Sequence, residues 1–308
     1  MFPKFTIIVP THNRQSRVTS LLWSISAIAP EHLAKIVVVD DSDKRTDLPV
    51  GTNLNVEHIK IPSRVLITRA KNLGWKMAST EFVYFIDDDN IVCNETFTPL
   101  LREMLHRPKI GALVPGVLYR RSPNLVWVYA TPLSKDRWKH NLIGRNQPRN
   151  KHFEGKLIRT DALPNASLVR RKALEEVGGF NETLAVNSSA ELAIRLQKAG
   201  WSTYSCTSAF IYHDVDPPGR VGWWATHGIA DPERVYYEVK DWFTLMKLIH
   251  SEERFFKLKA AIQSARFVLP NSLAYFLRGG PRRWKLLARL TDGLIKALVE
   301  DEHNRTLS

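Results

Sequence analysis

Cysteine is scarce: Cys93 and Cys206 are the only two in 308 residues. That is too few for a disulfide framework, and they lack the spacing of a zinc site, which fits a reducing compartment. Uninterrupted apolar runs of about 18 residues are missing as well, so no membrane span is expected. The first residues, Met1-Phe2-Pro3-Lys4, run straight into a strand without a signal-peptide pattern. No G-x-G-x-x-G follows that strand, which argues against a dinucleotide-binding oxidoreductase, and there is no Walker A loop. Nor does a Gly-rich loop follow it, as a sugar nucleotidyltransferase would require. Acidic residues are in deficit, 31 against 44 Lys and Arg, leaving a formal charge of +13. Such a balance points to anionic partners: a nucleotide diphosphate, an acidic membrane surface or a nucleic acid. Nucleic acid is disfavoured, because the basic residues are not interleaved with aromatics as a stacking platform requires.

What is present is an ordinary globular composition, 44% hydrophobic and 24% charged, with ample material for a core. Its organising stretch is Phe82-Val83-Tyr84-Phe85-Ile86-Asp87-Asp88-Asp89-Asn90, a buried strand that runs into three carboxylates. The D-x-D spacing puts Asp87 and Asp89 on one side of an extended segment, where oxygen ligands suit Mg²⁺ or Mn²⁺ shared with a diphosphate. Residues 5–10 form another strand, followed by polar Thr11-His12-Asn13-Arg14. Val18, Leu21, Leu22, Ile25 and Ile28 then recur at helical spacing behind a Ser16 cap. A third strand, residues 35–39, ends in Asp40-Asp41. Two strands joined by a helix predict a βαβ unit and a parallel sheet, whose ligands bind beyond the carboxyl ends of the strands. Three polar clusters therefore converge on one sheet edge.

Further along, Ile110–Leu118 is another apolar run, which brings Arg120 and Arg121 to the same edge as candidates for clamping a phosphate. Ser134–Arg159, rich in Lys, Arg, Asn and His, reads as a long basic loop. Pro217-Pro218-Gly219 breaks regularity, and Val221–Gly228, with Trp223 and Trp224, is expected to fold over the site. Between residues 251 and 289 stand nine Lys and Arg against two Glu. Phe255, Leu258, Ile262, Ala265 and Leu269, then Trp284, Leu287, Leu294 and Leu298, predict basic amphipathic helices. These suit either an anionic lipid interface or packing on the catalytic domain.

Ile7–Arg14, Val38–Ser42, Arg69-Ala70-Lys71-Asn72-Leu73-Gly74 and Phe85–Asp89 resemble, in order, the nucleotide-sugar motifs of glycosyltransferase family 2. The resemblance continues in Asn165–Arg171, Val177–Glu182 and Glu191–Leu196, and so covers roughly residues 4–215. It implies a GT-A fold, an α/β architecture with a mostly parallel sheet flanked by helices, followed here by a C-terminal helical extension. The expected division is residues 1–215 for donor binding and catalysis, 216–250 for a covering loop and helix, and 251–308 for the basic tail. The family's pattern assigns Pro10, Thr11, Asn13, Arg14, Asp40 and Asp41 to the base and ribose, and Arg69 and Asn72 to the diphosphate or sugar. Asp87 would face ribose or metal, Asp88 would line the donor site, and Asp89 would bind the cation. His213, closing the strand Ala209–His213, is a candidate third metal ligand by the same resemblance.

One departure is informative. Where family members acting on sugar hydroxyls usually carry Glu-Asp, the Asp being the general base, this chain has Ser188 and Ser189. Three explanations compete. In the first, Glu191 serves instead, although it lies about 200° round a helix from Ser189. In the second, the acceptor needs no base, as for a polyprenyl phosphate with a second pKa near 6. Or the protein binds a nucleotide sugar without catalysis. Ser188–Arg195 also resembles the corresponding segment of dolichyl-phosphate mannose synthases, which favours GDP-mannose with a polyprenyl phosphate or lipid-linked glycan. The same resemblance implies a cytoplasmic enzyme, peripheral at the membrane face. The rivals are a UDP- or dTDP-sugar with a hydroxyl acceptor, and the non-catalytic binder.

Overall fold

The computed structural model describes residues 3–49, 51–134, 139–217 and 231–252, short pieces between 259 and 277, and residues 280–303. The chain divides into two compact units, one of residues 1–183 with 192–217, the other of residues 184–191 with 218–308.

The first unit is built on a mixed sheet. Strand β1 (Phe5–Thr11) is buried along its whole length and pairs in parallel with β2 (Leu33–Asp40) and β4 (Phe82–Ile86). β2 pairs in parallel with the edge strand β3 (Val56–Lys60), half-buried throughout, which the sequence pattern did not single out. On the other side, β11 (Ala166–Arg170) runs antiparallel to both β4 and β6 (Ile110–Tyr119), and β12 (Ser202–His213) is parallel to β6. β4 and β6 share one antiparallel neighbour and therefore point the same way. The carboxyl ends of β1, β2, β4, β6 and β12 thus lie on one edge. Shorter strands β5 (Asn90–Val92) and β10 (Leu157–Arg159) pair with β12, and β7 (Ser122–Val128) pairs with β6.

Helix α1 (Gln15–Ile28) buries Val18, Leu21, Leu22 and Ile25 against one sheet face, with Phe5, Ile7 and Ile36 in the same apolar cluster. Its cap differs from expectation. Arg14 takes the N-cap position without a side-chain hydrogen bond, and Ser16 lies inside the first turn. The reason is local: the preceding loop is held by Asn13 at φ 53°, which leaves the helix to start one residue before Ser16. Helix α2 (Ile67–Lys76) covers the opposite face, and Gly74 lets it approach closely, since a Cβ there would collide with Ile8 Cγ2. Helices α3 (Thr98–His106) and α4 (Arg171–Val177) complete the layers. Helix α5 (Ser188–Lys198) begins in the second unit and ends in the first.

In the second unit, α6 (Pro232–His250) and α7 (Arg283–His303) pack together through Val235, Val239 and Phe243 against Leu286 and Leu290. Leu287 and Leu294 border this cluster, whereas Trp284 is 68% exposed. The apolar face of α7 is therefore spent on α6, centred one residue from the expected stripe. Asp241 of α6, fully buried, accepts the backbone amides of Ala185 and Val186 at 2.7 Å each. Residues 218–230, with Trp223 and Trp224, and Phe255, Leu258, Ala265 and Leu269 lie outside the described residues. Among those described, no helix is long and apolar enough to cross a membrane.

Candidate active site

The turn after β4 is fixed by its backbone. The Asp87 amide donates to Asn165 O at 2.9 Å, and Asn90 returns to Asp87 O through its own amide and through Nδ2. That fixes the directions of three carboxylates. Asp88 points inward and is buried, accepting Thr11 Oγ1 at 2.7 Å and Arg14 Nη1 at 3.0 Å. Burial pushes its carboxyl above the ordinary range, with Thr11 and Arg14 opposing the rise. Asp89 takes Arg17 Nη1 at 3.0 Å and Arg14 Nη1 at 3.3 Å on Oδ2, and faces His213 Nε2 at 3.6 Å with Oδ1. Burial raises its carboxyl too, but His213, Arg14 and Arg17 outweigh it and hold it below the usual range. Asp87 turns away to Lys71, whose Nζ lies 2.9 Å from Oδ1 as an ion pair without hydrogen-bond alignment.

The end of β2 is differently employed. Asp40 is 0% exposed and accepts the amides of Ser42 at 2.9 Å and Thr46 at 2.8 Å, with His58 Nε2 at 3.1 Å. Burial favours its neutral form, yet these donors prevail and bring the carboxyl to about 2. Both oxygens of Asp40, expected at the base or ribose, are thus engaged by groups of the protein's own fold. Asp41 accepts the Val65 amide at 2.8 Å and lies 3.1 Å from His12 Nδ1. Asn13 is tied to Asp43, and Pro10 is buried within β1 rather than in the loop beyond it. Asn72, expected near the diphosphate or sugar, is likewise engaged within the fold. Its Nδ2 donates to Phe180 O and Glu182 Oε1, and its Oδ1 accepts from Trp75 Nε1 and the Phe180 amide, all at 2.9 Å. With no capacity left, it serves as a staple across the fold rather than a donor ligand. Arg69 is exposed and has no side-chain hydrogen bond or ion pair among the described residues.

Arg120 and Arg121 reach the expected edge, but each carries its own counter-ion, Asp214 at 3.2 Å and Asp216 at 2.7 Å. Glu191, buried in the first turn of α5, belongs to the second unit. Arg17, Lys71 and Trp127 escaped sequence reasoning. Lys71 sat within a recognised motif, and Arg17 on the polar side of α1; Trp127 carried no signal, although its ring packs edge-on against His213 with centroids 5.1 Å apart.

Asp89 and His213 supply oxygen and nitrogen donors facing one another, and His213 Nδ1 is buried without a hydrogen-bond partner. No cluster of three His, Cys, Asp or Glu able to cage a metal occurs among the described residues. The set fits a divalent cation that completes its shell with substrate oxygens. The guanidinium groups of Arg14 and Arg17 also bring positive charge to Asp89.

The model for "Glycosyl transferase family 2" matches residues 6–178. The chain is 26% identical over 211 residues to cellulose synthase 1 of Komagataeibacter xylinus, covering 66% of this chain and 13% of that protein. It thus spans a small part of that relative's length. A structure of S. aureus TarS 1-349 in complex with UDP-GlcNAc superposes with a TM-score of 0.57 at 17% identity, covering 94% of this chain and 80% of the other. A mannosyltransferase from Pyrobaculum calidifontis in complex with GDP-Man and Mn²⁺ gives 0.52 at 19% identity, covering 97% and 88%. At such identities the likeness concerns the fold, which is GT-A.

Proposed function

Since the chain belongs to glycosyltransferase family 2, we propose that it is an inverting, metal-dependent glycosyltransferase whose nucleotide-sugar donor lies across the carboxyl edge of β1, β2 and β4. The observation that carries this reading is the meeting of Asp88 and Asp89 with Arg14, Arg17 and His213 at that edge. Mn²⁺ or Mg²⁺ at Asp89 and His213 would neutralise charge on the departing nucleoside diphosphate. The chain's own residues bind and orient. Thr11 and Arg14 hold Asp88 in place, and His213, Arg14 and Arg17 together keep Asp89 ionised. The acceptor oxygen attacks the anomeric carbon from the face opposite the diphosphate. One carbon–oxygen bond forms as the other breaks, and the electron pair leaves with the diphosphate.

We take the acceptor to be a polyprenyl phosphate or lipid-linked glycan and the donor GDP-mannose. Ser188 and Ser189 support the polyprenyl phosphate, because a phosphate acceptor is already anionic and needs no base to remove a proton. The mannose-synthase-like segment 188–195 supports the donor, and the basic residues of the tail suit a peripheral place at an anionic membrane surface on the cytoplasmic side. A second reading, a UDP-sugar with a hydroxyl acceptor, draws on the fold shared with the UDP-GlcNAc complex. A panel of nucleotide sugars incubated with Mn²⁺ and either a polyprenyl phosphate or a free glycan, followed by mass analysis of products, separates the two. Mannosyl-phosphoryl-polyprenol is the expected product. Transfer to the glycan alone would replace our reading with the second, and nucleotide binding without transfer or donor hydrolysis would leave a non-catalytic binder.

A further inference from the structure

Most cations of the site face a carboxylate. Arg14 and Arg17 face Asp88 and Asp89, Lys71 faces Asp87, and Arg120 and Arg121 face Asp214 and Asp216. Arg145 makes no ion pair among the described residues, although it is only half-exposed. Its guanidinium carbon lies 4.3 Å above the Trp127 ring, and Nη1 donates to Trp127 O at 3.3 Å. The other side of that contact is the active edge, for Trp127 packs edge-on against His213 with centroids 5.1 Å apart, and His213 Nε2 is 3.6 Å from Asp89. A second route leads to the same place. Asn146, the next residue, accepts Tyr119 Oη at 2.6 Å, and Tyr119 is the register partner of His213 between β6 and β12.

The guanidinium is held in position rather than draped over a surface. The Asn146 amide donates to Val126 O, the Val126 amide to Gln147 O, the Tyr129 amide to Ile143 O and the Ile143 amide to Ala130 O, all at 2.9 Å. Gly144, at φ +75°, lets this turn lie directly on the Tyr129 ring, where a Cβ would come within 2.5 Å of Cδ2. Burial lowers the Arg145 pKa, with Tyr119 opposing. A half-buried cation without a counter-ion costs stability, and a planar, stacked, pre-oriented fork is the geometry that binds phosphoryl oxygens in pairs.

We propose that Arg145 is an anion-recognition residue of this site, its Trp127-stacked guanidinium taking phosphoryl oxygens on the His213 side of the carboxylates. The inference rests on the transferase reading above, which supplies two sources of that chemistry: the diphosphate of the donor, or a phosphorylated acceptor. Calorimetric titration of the full chain in Mn²⁺ tests it, with GDP, UDP, a short alkyl phosphate, guanosine and uridine as probes. Arg145→Ala is expected to weaken at least one phosphorylated probe about tenfold to a hundredfold, the loss of charge-assisted hydrogen bonds. Arg145→Lys should recover part of it, and Arg107→Ala, a surface change, should bind every probe as the unaltered protein does. Loss confined to GDP or UDP assigns the anion to the donor; loss confined to the alkyl phosphate assigns it to the acceptor. Equal affinity of the unaltered protein and Arg145→Ala for every phosphorylated probe overturns the proposal and leaves the transferase reading standing. So does an equal loss for the phosphate-free nucleosides. Should Arg145→Ala fail to fold, unchanged affinities in Arg145→Lys overturn it equally. Failure of the unaltered protein to bind any nucleotide overturns both readings.

Discussion

Asp40 and Asp89 each stand at the carboxyl end of a buried, β-branched or aromatic strand, yet they meet different partners. Asp40 is fully enclosed and accepts two backbone amides of its own loop. Asp89 meets side chains alone: Arg14 and Arg17 from the start of α1, Asn90 beside it, and His213 from the end of β12. Backbone amides cannot leave without unfolding the loop, whereas long arginine side chains rotate away at small cost. An acid held by amides is therefore a structural clamp, and an acid held by mobile cations is an exchangeable site. The same strand-then-aspartate pattern serves both.

The largest expected effect that sharpens this contrast is on the exchangeable side. Asp89→Ala should reduce transfer by about a hundredfold or more through loss of charge stabilisation on the leaving group, with little change in thermal unfolding; initial-rate assays and a melting curve check both halves. Next comes the clamp. The carboxyl of Asp40 lies at about 2 in the folded protein, below the ordinary unfolded value near 4. Its contribution is therefore present above pH 4 and lost as pH falls through 4 toward 2. Asp40→Asn should cost about 2 to 3 kcal/mol at pH 7, and that deficit should shrink as denaturant titrations are repeated toward pH 3. A deficit independent of pH would break the comparison. The smallest effect is at Arg17, whose side chain is 38% exposed. Arg17→Gln should change stability by less than about 1 kcal/mol while tightening Mn²⁺ binding to the nucleotide-free protein a few-fold, because one competitor for Asp89 Oδ2 is gone.

The strands that form the active edge were legible in the sequence because each is a short apolar run ended abruptly by polar residues. β1, β2, β4, β6 and β12 all carry that signature, and so does the 3.6-residue spacing of α1. β3 escaped because its five residues are all half-buried, Val-Glu-His-Ile-Lys, and present no uniform apolar face. The roles of individual polar residues were less legible. Nothing local distinguishes Asn72 as a staple, since Phe180, its main partner, lies 108 positions away. Asp40 and Asp89 looked alike for the same reason: what fills a carboxylate's hydrogen-bonding capacity is decided by tertiary neighbours. Arg145 and Trp127 fell within or beside a segment readable only as a basic loop, and their stacking emerges from the pairing of residues 126–130 with 143–147.

The central claim is that the carboxylates at the end of β4 hold a cation shared with a nucleoside diphosphate. Thermal unfolding of the unaltered protein and of Asp89→Ala, with GDP or UDP and either Mn²⁺ or a chelator, tests it most directly, since a ligand bound only by the folded state raises Tm. The account predicts a rise that requires Mn²⁺ and nucleotide together and disappears in Asp89→Ala. A nucleotide-induced rise that persists in chelator, or that survives in Asp89→Ala, would contradict it.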